Sequence, residues 1–307
     1  MCIRDSRYRA VFEKAKTFLR QHRLARIACI VLAVFLALSI LLHPHGKKTF
    51  LVIGMDNYGS LNEVGRSDVT MLIQVDFTRT RISAVTFARD MFVENENGNL
   101  TKINTIVRGK DEQALCEAIE RTFGVSIDGW FRVNFTTVIE LVDAIGGAQV
   151  ELTRAEVNYL NKTVGVYPDS PLEEGVCRLN GAQALAYARC RKLDNDLGRG
   201  ERQGKLIAAM VKQTGHMTAA NVAGVFSSLK HAWRSSYSAG EQVGLVFKAL
   251  WLRGAHVERI AVPFEGEWRY GSANGVNGVV ADLEANRLLL LDALGLPAPK
   301  ATAAPAK

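Results

Sequence analysis

Asp56, in LVIGMD, and Asp68, in GRSD, stand on either side of a Gly- and Asn-bearing loop spanning residues 54–67. Two acids bracketing one loop can converge on a hard divalent cation, which takes carboxylate oxygens and often shares them with a substrate phosphate. Taken singly, an Asp at a strand end is more commonly a turn former or a cap. Arginines are the second group. Arg189 and Arg191, in YARCR, would diverge by about 200° on a helix, so they face one way only where the chain is extended. Arg199, Arg202 and Lys205 follow at i, i+3 and i+6, with Gln203 at i+4 from Arg199. In the first turn of a helix Arg199 opposes the macrodipole. That placement makes sense if the helix N-terminus and the guanidinium both address an anion. The competing reading is a solvated face paired with Asp194, Asp196 and Glu201. Arg66 and Arg89, close to Asp68 and Asp90, suit surface ion pairs equally well.

Other chemistries lack raw material. All six histidines (22, 43, 45, 216, 231 and 256) lie outside residues 46–215, so no His-dependent triad or His-bound zinc can be built there. The chain has no G-x-x-x-x-G-K-[ST], no G-x-G-x-x-G and no H-E-x-x-H. Carboxylate and guanidinium remain.

The elements that must position these groups are legible in outline. Strands are expected at Phe50–Ile53, Val69–Val75 and Ile82–Phe87, the last two joined by a hairpin connection at Asp76–Arg81. Helical spacing runs from Asp111 to Thr122, with Gly124 beyond the end. A strand at Trp130–Val133, a helix at Thr136–Ile145 closed by Gly146-Gly147, and a short strand at Gln149–Leu152 follow. Helices are expected at Asn180–Ala188, from near Arg199, at Ala219–Trp233 and at Ala239–Leu252. A strand at Val257–Val262 and a final helix at Val280–Leu294 complete the body. Such interleaving predicts one layered α/β domain with the sheet in the middle. Residues 296–307, rich in Ala, Pro and Lys, read as disordered.

The formal charge of +7 does not describe a basic domain. Residues 1–26 hold eight Lys/Arg against Asp5 and Glu13, and the remainder carries 30 basic and 29 acidic side chains. The uncharged run Ile27–Leu42 explains the basic block. Its sixteen residues cover about 24 Å, and Leu24 and Ala25 extend them, with Arg26 snorkelling to the headgroups. A transmembrane helix over 24–42 is expected, with the basic tail 1–23 cytoplasmic and everything beyond a link at 43–49 outside. A cleaved signal peptide is the competitor, but its basic segment would be long and His-Pro-His, not A-x-A, follows Leu42. Outside the tail and anchor lie Cys116, Cys177 and Cys190. An odd number without C-x-x-C spacing supports neither zinc nor a disulfide framework; unpaired thiols are expected, with a Cys177–Cys190 bridge left open.

In order along the chain come G-M-D56, R66-S-D68, A-R89-D90, K102-I-N104, L179-N-G181, Y187-A-R189-C-R191 and G198-R199-G-E-R202-Q203, after a membrane anchor. Together these resemble the LytR-CpsA-Psr family of bacterial envelope enzymes, from about Phe50 to Gln213 and more weakly to about residue 294. The resemblance implies a single three-layer α/β/α domain with a central mixed sheet over 50–294, ahead of a tail at 295–307. It also implies transfer of a glycopolymer, such as teichoic acid or capsule, from a polyprenyl diphosphate carrier onto a peptidoglycan hydroxyl, assisted by Mg²⁺ with Mn²⁺ as a substitute. On that resemblance Asp56 and Asp68 hold the metal. Arg66, Arg89, Lys102, Arg189, Arg191, Arg199, Arg202 and Gln203 bind the diphosphate, and Asp56, Asp68, Arg89 and Arg189 form the catalytic set. The helix around Val138–Ile145 would help line a tunnel for the polyprenyl tail, although its apolar face equally suits plain core.

Three positions depart from the family pattern: Ala88 where Pro usually precedes Arg-Asp, Met55 where a small polar residue is common, and Cys190 where an aromatic or aliphatic residue is usual. None removes a charge the mechanism needs. A membrane-bound sensor or transcription attenuator that binds lipid diphosphate without turnover is the alternative. The twenty-six residues of the basic tail form no recognisable DNA-binding unit, which counts against it.

Overall fold

The computed structural model describes residues 44–58, 61, 67–107, 112–163, 171–190, 193, 196–214, 233–252 and 254–298. Those from His45 onward belong to one compact unit. The expected transmembrane helix at 24–42, most of the expected helix at 219–233, and residues 299–307 lie outside the described residues. Among the described residues no helix is long and apolar enough to cross a membrane.

Strand β1, Lys47–Met55, buries Thr49, Leu51, Ile53 and Met55 on one face and half-buries Phe50 and Val52 on the other. Such a pattern needs layers on both sides. Strands β2 (Ser67–Asp76) and β3 (Arg81–Phe87) pair antiparallel, opening at Asp76↔Arg81 where the hairpin connection was expected. β1 begins at Lys47, so the last residues of the expected link are already strand.

Two short hairpin strands, β4 (Phe92–Glu94) and β5 (Leu100–Lys102), follow, then helix α1 (Ile103–Ile106) and helix α2 (Glu112–Phe123). Strand β6 (Gly129–Val133) lies parallel to β1. Beyond it come α3 (Phe135–Ala144), β7 (Ala148–Leu152), α4 (Arg154–Lys162), β8 (Gly175–Leu179), α5 (Gly181–Arg189) and α6 (Asp196–Thr214). The chain ends with β9 (Arg234–Ser235), α7 (Ala239–Ala249), β10 (His256–Val262), β11 (Trp268–Ala273), β12 (Val276–Ala281) and α8 (Leu283–Ala293). The main sheet has the order β10-β3-β2-β1-β6-β9 and is mixed, with β10 parallel to β3.

On one face, Leu51, Ile53, Leu72, Val85 and Phe87 pack against Leu115, Ile119 and Phe123 of α2 and Leu290 and Leu291 of α8. On the other, Phe50, Ile73, Val75, Ile82 and Val257 meet Val211 of α6. Helix, mixed sheet and helix therefore form the expected three layers. A second core joins α3–α6 to the β7–β8 hairpin through Val142, Val150, Leu160, Leu179, Tyr187 and Leu206. Each fully buried Leu or Val contributes about 1.5–3 kcal/mol.

Four expectations need correction. The final helix was expected to start at Val280, but Val276–Ala281 is a strand and Asp282 caps the helix that follows. Asn274-Gly275, with φ of 51° and 75°, makes the tight β11–β12 turn that redirects the chain. The helix expected near Arg199 starts earlier, at Asp196. Strand β8 and helix α4 were not foreseen, although Thr153 and Glu156 form a capping box. Leu296, placed in a disordered tail, packs on the main core. Cys116, Cys177 and Cys190 are free thiols. Burial, then Glu120 and Glu117, pushes the Cys116 thiol up to about 12 and keeps it protonated.

Helix α5 is set by its first residues. The Asn180 side chain accepts from Gln183 N at 2.8 Å, and Gln183 Oε1 accepts from Asn180 N at 2.9 Å. Gly181 crosses α3 so closely that a Cβ would lie 2.2 Å from Ile139 O. Asn180→Ala is expected to cost about 1 kcal/mol in urea denaturation, the value of an N-cap, and should leave the unfolding slope unchanged.

Tyr237, two residues past the edge strand β9, stacks on Phe131 of β6 at 5.8 Å. Burial, then Asp128 and Glu241, pushes its phenol up to about 12. Between pH 10 and 12 the unfolded chain has therefore lost this proton while the native one keeps it. Stability should be intact below pH 10 and fall as pH rises through that window, measurable as a declining urea midpoint. Tyr237→Phe should flatten the decline.

Candidate functional site

The β1–β2 ladder is regular up to Gly54↔Val69 and then shifts, so that Met55 faces Ser67 and Asp68 is the extra residue of a bulge. Bulges bend the strand and re-aim a side chain. Gly54 is required beneath this one, because a Cβ there would lie 2.9 Å from Val69 Cβ. Asp68 thus leaves the ladder at the same end of the strand pair where Asp56 follows β1.

Each acid meets an arginine from a different element. Arg89, two residues past β3, places Nη1 3.0 Å from Asp68 Oδ1, with both side chains largely buried. Its Nε is also buried and has no acceptor among the described residues. Arg189, the last residue of α5, places Nη2 3.3 Å from Asp56 Oδ1 and lies 3.9 Å over the Phe135 ring. That pair is nearly half exposed on both sides, so the contact itself is worth little in stability. Asp90 is held by Lys102 Nζ at 3.6 Å and by Asn104 Nδ2 at 3.3 Å, which joins two of the sequence motifs in one cluster.

Asp68, Arg89 and Asp90 line a cavity of about 510 Å³. Helix α6 supplies Arg199, Gln203 and Lys205 to the same wall. Arg199 stands in the first turn, as the spacing suggested, and is buried. The helix comes close to the sheet because Gly204 leaves room for the Arg259 stem; a Cβ there would be 2.9 Å from Arg259 Cδ.

Of the expected site residues, Asp56, Lys102 and Arg189 lie outside the cavity wall, in the flanking ion pairs. Arg202 is buried and donates through Nη2 to Cys190 O at 2.6 Å, fastening the end of α5 to α6. Arg66 and Arg191 fall outside the described residues. Arg259 of β10 and Trp268 and Tyr270 of β11 line the cavity and were not foreseen. The Asn-Gly turn beyond them was a usable sign of the hairpin that carries the two aromatics.

The LytR_cpsA_psr family model matches residues 9–283. The chain belongs to this family. The polyisoprenyl-teichoic acid–peptidoglycan teichoic acid transferase TagV of Bacillus subtilis (strain 168) is 30% identical over 188 residues, 58% of this chain and 46% of TagV. The transferase TagU of Halalkalibacterium halodurans is 29% identical over 231 residues, 71% of this chain and 70% of TagU. The match to the first of these thus spans about half of that relative's length. Among solved structures, TagT bound to LIIa-WTA superposes with a TM-score of 0.66 over 81% of this chain and 91% of that one. At 20% identity that likeness is one of fold.

One of the three departures from the family pattern, Ala88, has a local explanation. Ala88 N donates to Val262 O at 2.7 Å, tying the end of β3 to β10, and a proline has no such donor. Cys190 is buried as the C-cap of α5, where its carbonyl receives Arg202. Met55 is buried in the main core, and nothing further in the structure explains it.

Proposed function

We propose that this LytR_cpsA_psr protein is a membrane-anchored phosphotransferase, moving a glycopolymer from a polyprenyl diphosphate carrier onto a peptidoglycan hydroxyl. The observation that carries the reading is the Asp68–Arg89 pair facing the buried Arg199 across one cavity, with a buried Arg89 N–H left over. A guanidinium with a spare buried donor beside a helix N-terminus suits a phosphate oxygen. The names of the TagV and TagU relatives point the same way. The anchor at 24–42, with the domain outside the membrane, is part of the proposal and rests on the charge asymmetry of the sequence.

In this reading Arg89 and Arg199 grip the diphosphate, with Gln203 and Lys205 beside them. Lys102 supports the site through Asp90, and Arg189 positions Asp56. The acceptor hydroxyl attacks the sugar-bearing phosphorus, the bridging P–O bond breaks, and polyprenyl phosphate leaves. Asp90, held by Lys102 and Asn104 rather than by an arginine, accepts the proton. Asp56 and Asp68 are the residues that would hold Mg²⁺. Asp56 follows β1 and Asp68 leaves the ladder at the same end of the strand pair, and two carboxylates suit a hard cation that completes its shell with phosphate and water. Bound there, the ion would neutralise charge on the diphosphate and improve the leaving group.

The test is a transfer assay with purified full-length protein, Mg²⁺, a synthetic polyprenyl diphosphate disaccharide and peptidoglycan. Release of polyprenyl phosphate together with sugar phosphate on the peptidoglycan is the expected result. Tight carrier binding without release would favour a sensor and overturn the enzyme reading.

A further inference from the structure

The cavity has a second kind of wall. Trp268 and Tyr270, two apart on β11, share a face of the hairpin and meet edge to face at 5.1 Å. Trp268 packs against the main core, whereas Tyr270 is 76% exposed and still lines the cavity. A large aromatic held open to solvent beside a charged pocket contributes little to folding, and so invites a binding role.

The hairpin is fastened to the anion-gripping loop. Val279 N donates to Asp90 O at 2.9 Å, and Gly278 comes so close that a Cβ would lie 2.6 Å from Asp90 O. Its turn is tied down as well, by Asn274 Nδ2 donating to Leu100 O at 2.9 Å. The rings are therefore held at a fixed place relative to Arg89 and Asp90. A cavity of about 510 Å³ is also the size that takes a ligand of several rings rather than a bare diphosphate.

We infer that Trp268 and Tyr270 form a saccharide-stacking subsite, on which a pyranose ring lays its C–H face while Glu201, Lys205 and Arg259 of the same wall meet its hydroxyls. The inference rests on the diphosphate reading for its neighbour, but not for its own test. An aromatic face with nearby charged groups matches a sugar, which is apolar above and below its ring and polar at its rim. The ring belongs either to the polymer on the carrier or to the peptidoglycan strand that accepts it.

The direct experiment titrates full-length protein in detergent with chitotriose, a neutral N-acetylglucosamine trimer, and separately with pyrophosphate. Tyr270→Ala should weaken chitotriose binding about tenfold, Tyr270→Phe should retain it, and pyrophosphate should bind all three alike. In the transfer assay, Tyr270→Ala should raise one KM with kcat unchanged. A rise for the carrier assigns the ring to the polymer; a rise for peptidoglycan assigns it to the acceptor. Chitotriose that ignores Tyr270→Ala, or that does not bind the wild type, overturns the subsite. If the wild type transfers nothing yet binds chitotriose through Tyr270, the enzyme reading fails and the subsite stands.

Discussion

Asp68→Ala is expected to lower polyprenyl phosphate release by about 10³-fold, on the scale of losing one preorganised electrostatic group from an active site. The residue is the extra one in a bulge, so its backbone is set by the shifted ladder and by Gly54 under Val69, not by its own side chain. Removing the carboxylate should therefore leave the strand pair folded, at about 1–3 kcal/mol for the Arg89 contact it gives up. Asp68→Asn keeps the shape and loses the charge, and should be as inactive as the alanine variant. Asp56→Ala should fall on the same scale. The double variant should be little worse than either single one, because groups sharing one task are not additive. Initial rates at saturating carrier, with circular dichroism to verify folding, decide it. Near-normal turnover in either folded single variant would remove that residue from the proposed metal pair.

The second large effect belongs to the arginines. Arg89→Ala and Arg199→Ala should each weaken carrier binding by about 1.5–3 kcal/mol, the worth of a hydrogen bond to a charged group. Lysine should restore part of it, since a point charge does not reproduce the planar fork. Added salt should weaken binding less than it would for exposed pairs, because Arg199 is buried. The control is polyprenol without a headgroup. Equal losses for both lipids would mean that the substitution disturbed the fold or the apolar contacts, and the clamp would have to be abandoned. Arg202→Ala should behave differently, lowering the urea midpoint more than the affinity, because its guanidinium serves the Cys190 carbonyl.

The sheet was legible because residues 50–53, 69–75 and 82–87 advertise it through dense apolar and β-branched runs. The position of Asp68 was not. A bulge is decided by which backbone groups pair, and GRSDVT reads the same whether or not the ladder slips. At the C-terminal end a strong signal hid a weaker one. The apolar positions from Val280 to Leu294 suggested a single helix, although Asn274-Gly275 and Asp282 both mark boundaries inside or beside it. With that hairpin went Trp268 and Tyr270, and with them half of the cavity's character. Charge spacing on α6 singled out Arg199, which the structure places on the cavity wall, yet could not separate it from Arg202. Three residues apart on one helix, the two face different neighbours, one a cavity and the other a carbonyl. The buried Arg132–Glu112 pair at 2.8 Å was also unreadable, since its partners come from α2 and β6.

Ala88 has a consequence for substitution at its site. Its N–H is committed to Val262 O, so the proline that the family resemblance leads one to expect there would leave that carbonyl without this donor. Consensus substitution, ordinarily a dependable way to gain stability, should fail here. A proline introduced at position 88 would remove the last bond between the end of β3 and β10, one residue before Arg89, while the seven paired residues of the two strands remain. Recovering the lost bond would take a second change that gives the Val262 carbonyl another donor. Position 88 is thus coupled to its neighbour on β10, and the effect of a substitution there depends on what else meets the Val262 carbonyl.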